Sequence, residues 1–227
     1  MKIYGLQKLT LLDYPGKIAA TLFAPGCNFR CPFCHNASMI NGKGFDEISS
    51  EEVINFLEKR FGLLDGVCIS GGEPLLQDGI EDFLKNIKGL GYSVKLDTNG
   101  QLFNRLKSLV ENNLIDYVAM DIKSSFENYS KAIGIQNFDA NKVKKSAEYL
   151  MTAGIPYEFR TTVVKEIHTA EDFHLVGKSL KDAEKYYLQS FKDSGDILTP
   201  GLSAYNKERM NEFLNILLGY IPCVFLR

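Results

Sequence analysis

Apolar residues fall into two patterns along the chain, and the two patterns alternate. A continuous apolar run of about four to eight residues is typical of a buried strand, whereas apolar residues spaced three and four apart indicate an amphipathic helix. Six short, largely apolar segments are interpreted as strands, and a helical pattern follows each of them. The predicted strands span residues 17–24, 66–70, 92–97, 116–122, 157–164 and 185–190.

Polar and small residues mark the ends of several predicted helices. Ser49 and Glu52 have the spacing of a capping box, in which each side chain bonds the backbone of the other residue. Thr169 is expected to cap a later helix, and Gly154 with Pro156 ends the helix before the fifth strand. These boundaries agree with the alternation of the apolar patterns.

The alternation predicts the fold class. Strands that alternate with helices form a parallel sheet through right-handed crossovers. A complete eight-unit barrel takes about 250 residues, so six units favour an α/β fold of the incomplete (βα)6 partial TIM barrel type. We expect a single domain over residues 1–227, with an N-terminal extension at 1–16, the six-strand core at 17–190, and a C-terminal helix and tail at 191–227.

Composition and charge exclude several classes of protein. The 227 residues are 45% hydrophobic and 24% charged, as in globular domains, and the net charge of −2 offers no broad attraction for nucleic acid or acidic lipid. Asp13, Pro15 and Gly16 interrupt the N-terminal segment, and the next apolar run is much shorter than the roughly 20 residues of a membrane-spanning helix. We therefore expect a soluble cytoplasmic protein without nucleic-acid or membrane partners.

Three of the five cysteines are clustered. Cys27, Cys31 and Cys34 have the spacing C-x3-C-x2-C, and an odd cysteine count without an export signal argues against disulfides. Thiolates bind iron–sulfur clusters and zinc. Three thiolates leave one corner of a four-iron cluster open for another ligand. The alternatives are a structural zinc ion, with His35 or a distant cysteine as the fourth ligand, and three cysteines without a metal.

The other two cysteines lie in apolar, strand-like runs. Cys68 belongs to the second predicted strand, and Cys223 lies in the sequence IPCVF. Cysteine outside disulfides is among the most buried residue types, so we expect both to be small buried hydrophobic residues.

Polar residues and glycines follow the predicted strands. The carboxyl ends of parallel strands meet at one edge of the sheet, where the active sites of such folds lie. The cysteine loop follows the first strand, Gly71-Gly72-Glu73-Pro74 the second, Asp97-Thr98-Asn99-Gly100 the third, and Asp121 and Lys123 the fourth.

Charge is expected to be concentrated at this edge. Asp97 and Asp121 end neighbouring strands, which are spaced about 4.8 Å apart, so they should repel unless a cation or a proton lies between them. Arg160 lies within an apolar strand, where an unpaired charge is costly, and should face solvent or an anion. Lys123 is either a solvated lysine or a point charge for an anion.

The cysteine loop, with Phe33 just before its third cysteine, resembles the cluster-binding loop of the radical S-adenosylmethionine (radical SAM) superfamily. The sequence at 70–74 is similar to the Gly-Gly-Glu-Pro motif of that superfamily, and 96–100 and 120–123 resemble motifs of the activating enzymes for glycyl radical enzymes. Residues 12–17 and 26–36 resemble the activating proteins of anaerobic ribonucleoside-triphosphate reductase. The similarity covers most of residues 12–123, and the second half matches weakly.

The resemblance implies a [4Fe–4S] cluster held by Cys27, Cys31 and Cys34, with S-adenosylmethionine on the open iron. Cleavage of the sulfonium bond by one electron then gives methionine and a 5′-deoxyadenosyl radical, which takes a hydrogen atom from a glycine of the partner. The implied partners are a glycyl radical enzyme and an electron donor such as flavodoxin or ferredoxin.

The resemblance also assigns roles to the residues at the strand ends. The carbonyl groups of Gly71 and Gly72 would accept bonds from the methionine ammonium, although two glycines also fit an ordinary tight turn. Glu73 would pair with the same ammonium or hold the loop. A monovalent cation is implied at Asp97, Thr98 and Asp121. The residues assigned to cofactor binding are Phe33, Gly71, Gly72, Glu73, Asp97, Asn99, Asp121, Lys123, Arg160 and Gln189.

Two other functions stay open. One is the same cofactor chemistry on another glycyl radical enzyme or on a small molecule, as in the carboxydeazaguanine synthases. The other is a zinc-stabilised interaction module without catalysis. The motifs favour activation of anaerobic ribonucleoside-triphosphate reductase.

Overall fold

The computed structural model describes residues 1–41 and 44–227. Eight strands follow one another in chain order in one sheet. All six predicted strands are present, and the α/β class with a mostly parallel sheet is confirmed. The strands are β1 (Gly5–Thr10), β2 (Ala19–Ala24), β3 (Gly66–Gly71), β4 (Ser93–Thr98), β5 (Tyr117–Asp121), β6 (Tyr157–Val163), β7 (Tyr186–Ser190) and β8 (Val224–Leu226).

The sheet is larger than the six strands expected, because each end of the chain adds one. β1 lies in the predicted N-terminal extension and pairs antiparallel with β2, with Gly5 opposite Phe23. β8 lies in the predicted C-terminal tail and pairs parallel with β7. Three residues of β1 and one residue of the three in β8 are solvent-exposed, so neither strand is buried on both faces as a central strand is.

Helices separate most of the parallel strands. Ser49 caps the second helix by accepting a hydrogen bond from the Glu52 amide, which is one of the two bonds of the predicted capping box. A single turn of 3₁₀ helix spans Pro74–Leu76. No helix in residues 1–41 and 44–227 is long and apolar enough to cross a bilayer. The helices are α1 (Ala37–Asn41), α2 (Ser50–Glu58), α3 (Ile80–Gly89), α4 (Phe103–Glu111), α5 (Tyr129–Ile133), α6 (Asn141–Leu150), α7 (Ala170–Ser179) and α8 (Lys207–Leu218).

Two compact units can be distinguished in the chain. The first comprises Met1–Asn28, Ser38–Thr98 and Asn104–Ala119. Within it, β2 and β3 pair in register from Ala19 opposite Gly66 to Ala24 opposite Gly71. Most residues of the two strands are completely buried, so they form part of a close-packed and largely apolar core of this unit.

The second unit comprises Phe29–Ala37, Asn99–Phe103 and Met120–Arg227. Within it, β6 and β7 are parallel, and α7 packs on α8. Thr169 caps α7 in a full capping box with Asp172, which confirms the predicted helix start. The expectation that all 227 residues act as a single domain stays a prediction.

Candidate functional site

In the first unit, a tight glycine turn holds the start of the cysteine loop. The Gly72 amide donates to the Ala24 carbonyl at 2.8 Å, and the Glu73 amide donates to the Gly26 carbonyl at 2.8 Å. A Cβ atom on Gly72 would lie 1.9 Å from the Gly26 oxygen, and one on Gly71 would lie 2.4 Å from the Ala24 oxygen. The backbone of the loop therefore already requires glycine at both positions, independently of any ligand.

Glu73 stabilises the same turn through its side chain. Its carboxylate is 1% exposed, and Oε1 accepts hydrogen bonds from the Leu75 amide at 3.1 Å and from Thr98 Oγ1 at 2.8 Å. The residue thus holds the loop, which is one of the two roles expected for it. A contact of Glu73 with the ammonium of S-adenosylmethionine stays a prediction.

Asp97, at the end of β4, has a cationic partner in its own strand. Lys95 Nζ donates to Asp97 Oδ1, and Ser70 Oγ donates to Oδ2 at 3.0 Å. Lys95 is only 2% exposed. The negative charge of Asp97 is therefore already balanced inside the first unit.

In the second unit, several elements hold the later part of the cysteine loop. The Arg30 amide donates to the Ile133 carbonyl at 2.9 Å, and the Cys34 amide donates to the Cys31 carbonyl at 3.0 Å. Phe33 is buried with its ring edge-on to His168, at 6.2 Å between centroids. Cys31 is buried and Cys34 is half-buried, as is Cys27 in the first unit.

Asp121, at the end of β5, lies between two cationic side chains. Lys123 Nζ donates to Oδ2 at 2.9 Å, and Arg160 Nε donates to Oδ1 at 2.8 Å. Burial raises the pKa of Asp121, but the charges of Arg160 and Lys123 outweigh it and hold the pKa well below its usual range. The anion expected for Arg160 is thus a carboxylate of the protein itself, and Lys123 is neither solvated nor unpaired.

Lys123 also lies within electrostatic reach of a cluster-loop thiol. Burial lowers the pKa of its ammonium, but the charges of Asp121 and then Cys31 outweigh this effect and raise the pKa above its usual range. Electrostatic coupling is mutual, so the Lys123 charge favours the thiolate of Cys31. A thiolate is the form that binds metal.

Two further predicted residues lie elsewhere in the second unit. Asn99 is buried, and its Oδ1 accepts a hydrogen bond from the Gln101 amide at 3.0 Å. Gln189 is half-buried on β7, in register with Thr162 of β6. The roles assigned to Asn99 and Gln189 in cofactor binding stay predictions.

Sequence reasoning missed Asp172 and Lys95. Asp172 is buried and accepts hydrogen bonds from Ser125 at 2.6 Å and Asn128 at 2.8 Å, which fixes the segment that follows Lys123. In the sequence, the position of Asp172 three residues after Thr169 indicates only the start of a helix. Lys95 had a usable signal, because it is a charge within an apolar strand, two residues from Asp97 and on the same face.

The two isolated cysteines differ from each other. Cys68 is completely buried, as expected. Cys223 is exposed, so the prediction that it is buried is wrong. Cys223 and Pro222 form an exposed connection between the buried residues Ile221 and Val224, just before β8 begins.

Residues 21–176 match the Radical SAM superfamily, and the chain therefore belongs to this superfamily. It is 33% identical over 233 residues to a protein of Methanocaldococcus jannaschii that is named as a glycyl-radical enzyme activating enzyme, and the alignment covers 99% of this chain and 95% of that protein. It is 27% identical to the pyruvate formate-lyase 1-activating enzyme of Escherichia coli, over 96% of each chain.

Solved structures share the fold. A radical SAM methyltransferase from Sphaerobacter thermophilus superposes with a TM-score of 0.73 at 16% identity, over 96% of this chain and 68% of that chain. The chain spans about half the length of other solved proteins that it matches. At this level of identity the likeness shows the fold alone.

Membership in the superfamily makes the chain an enzyme and implies a [4Fe–4S] cluster and S-adenosylmethionine. The donor set fits the cluster chemically, because three thiols lie within eight residues and Lys123 favours the thiolate of one of them. None of the five cysteines forms a disulfide. Among the described residues, no group of three or more histidine, cysteine, aspartate or glutamate side chains is arranged to hold a single metal ion.

Proposed function

We propose that this chain is the activating enzyme of a glycyl radical enzyme, and that its partner is anaerobic ribonucleoside-triphosphate reductase. The observation that carries the activase proposal is the three-cysteine loop in a chain similar, over 99% of its length, to a protein with that name. When bound, the cluster and S-adenosylmethionine supply one-electron cleavage of a carbon–sulfur bond and, through it, removal of a hydrogen atom from glycine.

The chain contributes metal binding and positioning to this reaction. The thiolates of Cys27, Cys31 and Cys34 would hold the cluster, and three ligands would leave one iron for S-adenosylmethionine. The charge of Lys123 lies close enough to Cys31 to interact with it, and a positive charge there favours metal binding by that thiol. Phe33, packed on His168, restricts the loop, so that the cysteines do not need to be ordered when the cluster binds.

The remaining assigned residues orient the nucleotide in this proposal. Carbonyl groups of the glycine turn would accept hydrogen bonds from the methionine ammonium, Gln189 would contact the adenosine, and Asn99 would contribute to binding of the cofactor. Lys123 and Arg160 are engaged with Asp121, so a carboxylate of the ligand would have to share them with that residue.

The choice of partner rests on the sequence at 12–17 and 26–36, where the chain resembles activating proteins of the anaerobic reductase. The E. coli relative is named for pyruvate formate-lyase, which makes that enzyme the natural competitor in a test. Both partners would lose a hydrogen atom from a backbone glycine.

Anaerobic reconstitution with iron and sulfide tests the cofactor chemistry. We expect a brown protein that, once reduced by flavodoxin or a chemical reductant, converts S-adenosylmethionine to 5′-deoxyadenosine and methionine. Cys31→Ala should lose the cluster and the cleavage, because two thiolates do not retain a cluster as three do. Cys223→Ala is the matched control, since that exposed thiol lies outside the loop. A colourless protein with one zinc ion and intact S-adenosylmethionine would overturn the proposal.

Electron paramagnetic resonance identifies the partner. The reduced enzyme with S-adenosylmethionine should produce a glycine-centred doublet on anaerobic ribonucleoside-triphosphate reductase and none on pyruvate formate-lyase. The reverse result would keep the activase and replace the partner. Cleavage of S-adenosylmethionine without a doublet on either protein would favour a small-molecule substrate.

A further inference from the structure

Helix α5 packs against the part of the cysteine loop that immediately precedes Cys31. The buried ring of Phe29 lies edge-on to Tyr129 of α5, at 6.3 Å between centroids. The Arg30 amide donates to the carbonyl of Ile133, the last residue of α5, at 2.9 Å. α5 therefore holds the loop through its backbone and through an aromatic contact, and neither contact involves a thiol.

Gly134, which caps the C-terminal end of α5, lies against the backbone of the loop. Its φ is 66°, in the left-handed region, and a Cβ atom on it would overlap the carbonyl oxygen of Arg30. That oxygen and the Cys31 nitrogen belong to one planar peptide unit, so the oxygen cannot move aside without moving Cys31 as well. The close approach therefore requires glycine, and it helps to fix Cys31.

The other end of α5 is fixed beside the charged cluster of Asp121. Tyr129, the first residue of the helix, is 1% exposed, and its hydroxyl accepts a hydrogen bond from the Lys123 amide at 3.2 Å and donates to the Asp121 carbonyl at 3.4 Å. Burial raises the pKa of this phenol above its usual range, so it stays neutral and keeps its proton. α5 thus connects the backbone of Lys123 with that of Arg30, next to Cys31.

We propose that α5 positions Cys31 for cluster binding, with Gly134 and Tyr129 as the positioning residues. The inference deepens the proposed function and rests on it only for the identity of the ligand, a [4Fe–4S] cluster. A thiol that is already held in place loses little freedom on binding, which strengthens the binding. Weakening either contact should leave the chain folded, loosen the loop at Cys31 and make the cluster easier to remove.

The cysteines themselves provide the test, because the alkylation of each thiol can be measured separately. The metal-free full chain, kept anaerobic, is treated with iodoacetamide, and mass spectrometry gives the rate for every cysteine. Cys223 is exposed and should react in every variant, which shows that the reagent is active. Cys68 is completely buried and should react only if the chain unfolds. Cys31 is also buried, so its rate reports on the position of the loop.

The main comparison is between Gly134→Ala and Gly154→Ala. The two glycines have φ values of 66° and 73°, so alanine is similarly strained at both, but no atom lies within 4 Å of a Cβ on Gly154. We expect alkylation of Cys31 to be roughly tenfold faster in Gly134→Ala, because the collision with Arg30 favours local opening of the loop. Gly154→Ala should keep the wild-type rate at Cys31, and Cys68 should stay protected in both variants.

Tyr129→Phe tests the other end of α5 without adding volume. It keeps the aromatic ring and removes the hydroxyl that is bonded to the Lys123 amide. Tyr157→Phe is the matched control, because the hydroxyl of this buried tyrosine also accepts a hydrogen bond from a backbone amide, that of Glu184, at 3.0 Å. Tyr129→Phe should raise the alkylation rate of Cys31 about threefold, since a single hydrogen bond is lost, whereas Tyr157→Phe should leave the rate unchanged.

Removal of iron by a chelator gives a second readout after reconstitution with iron and sulfide. Gly134→Ala and Tyr129→Phe should each lose iron faster than the matched control variant. Equal alkylation of Cys31 in Gly134→Ala and Gly154→Ala would overturn the inference. A joint rise at Cys31 and Cys68 would overturn it as well, because it would indicate unfolding of the chain instead of displacement of the loop.

Two further outcomes are also decisive. If Gly134→Ala does not fold, the two tyrosine variants decide by the same criteria. The alkylation is measured without a cluster, so a chain that fails to assemble one would count against the proposed function alone, and an unchanged rate at Cys31 would count against this inference alone.

Discussion

The glycine turn after β3 and the charged cluster around Asp121 hold their parts of the candidate site by different forces. The turn depends on close contact between backbones, with Gly72 against Gly26. The cluster depends on charge, with Lys123 and Arg160 on a single carboxylate. The first region should therefore be the more sensitive to added volume, and the second the more sensitive to loss of a charged side chain.

The largest effect is expected for Gly72→Ala. Its Cβ would lie 1.9 Å from a backbone oxygen that has no room to move aside, which exceeds the usual overpacking cost of about 1–3 kcal/mol. We expect no folded protein to accumulate, as measured by soluble yield and circular dichroism. Gly89→Ala is the control, because nothing lies within 4 Å of the added carbon. A folded Gly72→Ala protein of normal stability would contradict the role assigned to the turn.

A smaller loss is expected for Asp121→Asn. The change leaves two half-buried cations without that carboxylate, and because breaking a fully buried ion pair costs about 3–5 kcal/mol, the loss at this partly exposed cluster should be smaller than that. Urea unfolding should show a lower midpoint with an unchanged slope. Asp82→Asn removes an exposed partner of Lys85 and should have little effect. Equal effects of the two variants would mean that the Asp121 cluster is not the stabilising element of its region.

The smallest effect is a pH dependence that comes from His168. Burial lowers the pKa of this imidazole, whose ring bonds the Val164 amide and the Lys123 carbonyl. The unfolded chain therefore binds more protons than the folded chain below about pH 6.5, and the free energy of unfolding falls as the pH falls through that value. Burial also lowers the pKa of His35, which adds to the same slope.

His168→Phe should flatten this slope between about pH 7 and 5, at a cost near 1–2 kcal/mol from the lost hydrogen bonds. His174→Gln, at an exposed position, should keep it. Hydrogen exchange at pH 5 should increase in β6 and α7 before it increases in β2 and β3. Early exchange in β2 and β3 would erase the contrast between the two regions.

The sequence predicted the fold where apolar periodicity is strong. The six strands and the caps at Ser49 and Thr169 follow from local signals. β1 was missed because its sequence, GLQKLT, mixes apolar and exposed polar residues at the edge of a sheet. β8 is only three residues long, which is too short for a periodic signal.

The candidate site was predicted in part. Short motifs located the cysteines, the glycine turn and the two aspartates, because each motif is continuous in sequence. Charge partners are set by tertiary structure instead: Arg160 reaches Asp121 from 39 residues away. A charge in an apolar strand predicts that an oppositely charged partner exists, but it does not identify that partner. For Arg160 the expected partner was a group of the cofactor, whereas the structure shows Asp121.

The crowding at Gly71 and Gly72 affects how mutational data on this enzyme should be interpreted. A saturation scan selected for activity would deplete every substitution at both positions, since even a methyl group collides with the Ala24–Gly26 backbone. Such depletion is the usual mark of ligand contact, but here the cost would arise before any nucleotide binds. The same library should also be scored for protein abundance. Variants at the two glycines would lose abundance together with activity, whereas variants at the three loop cysteines would lose activity alone.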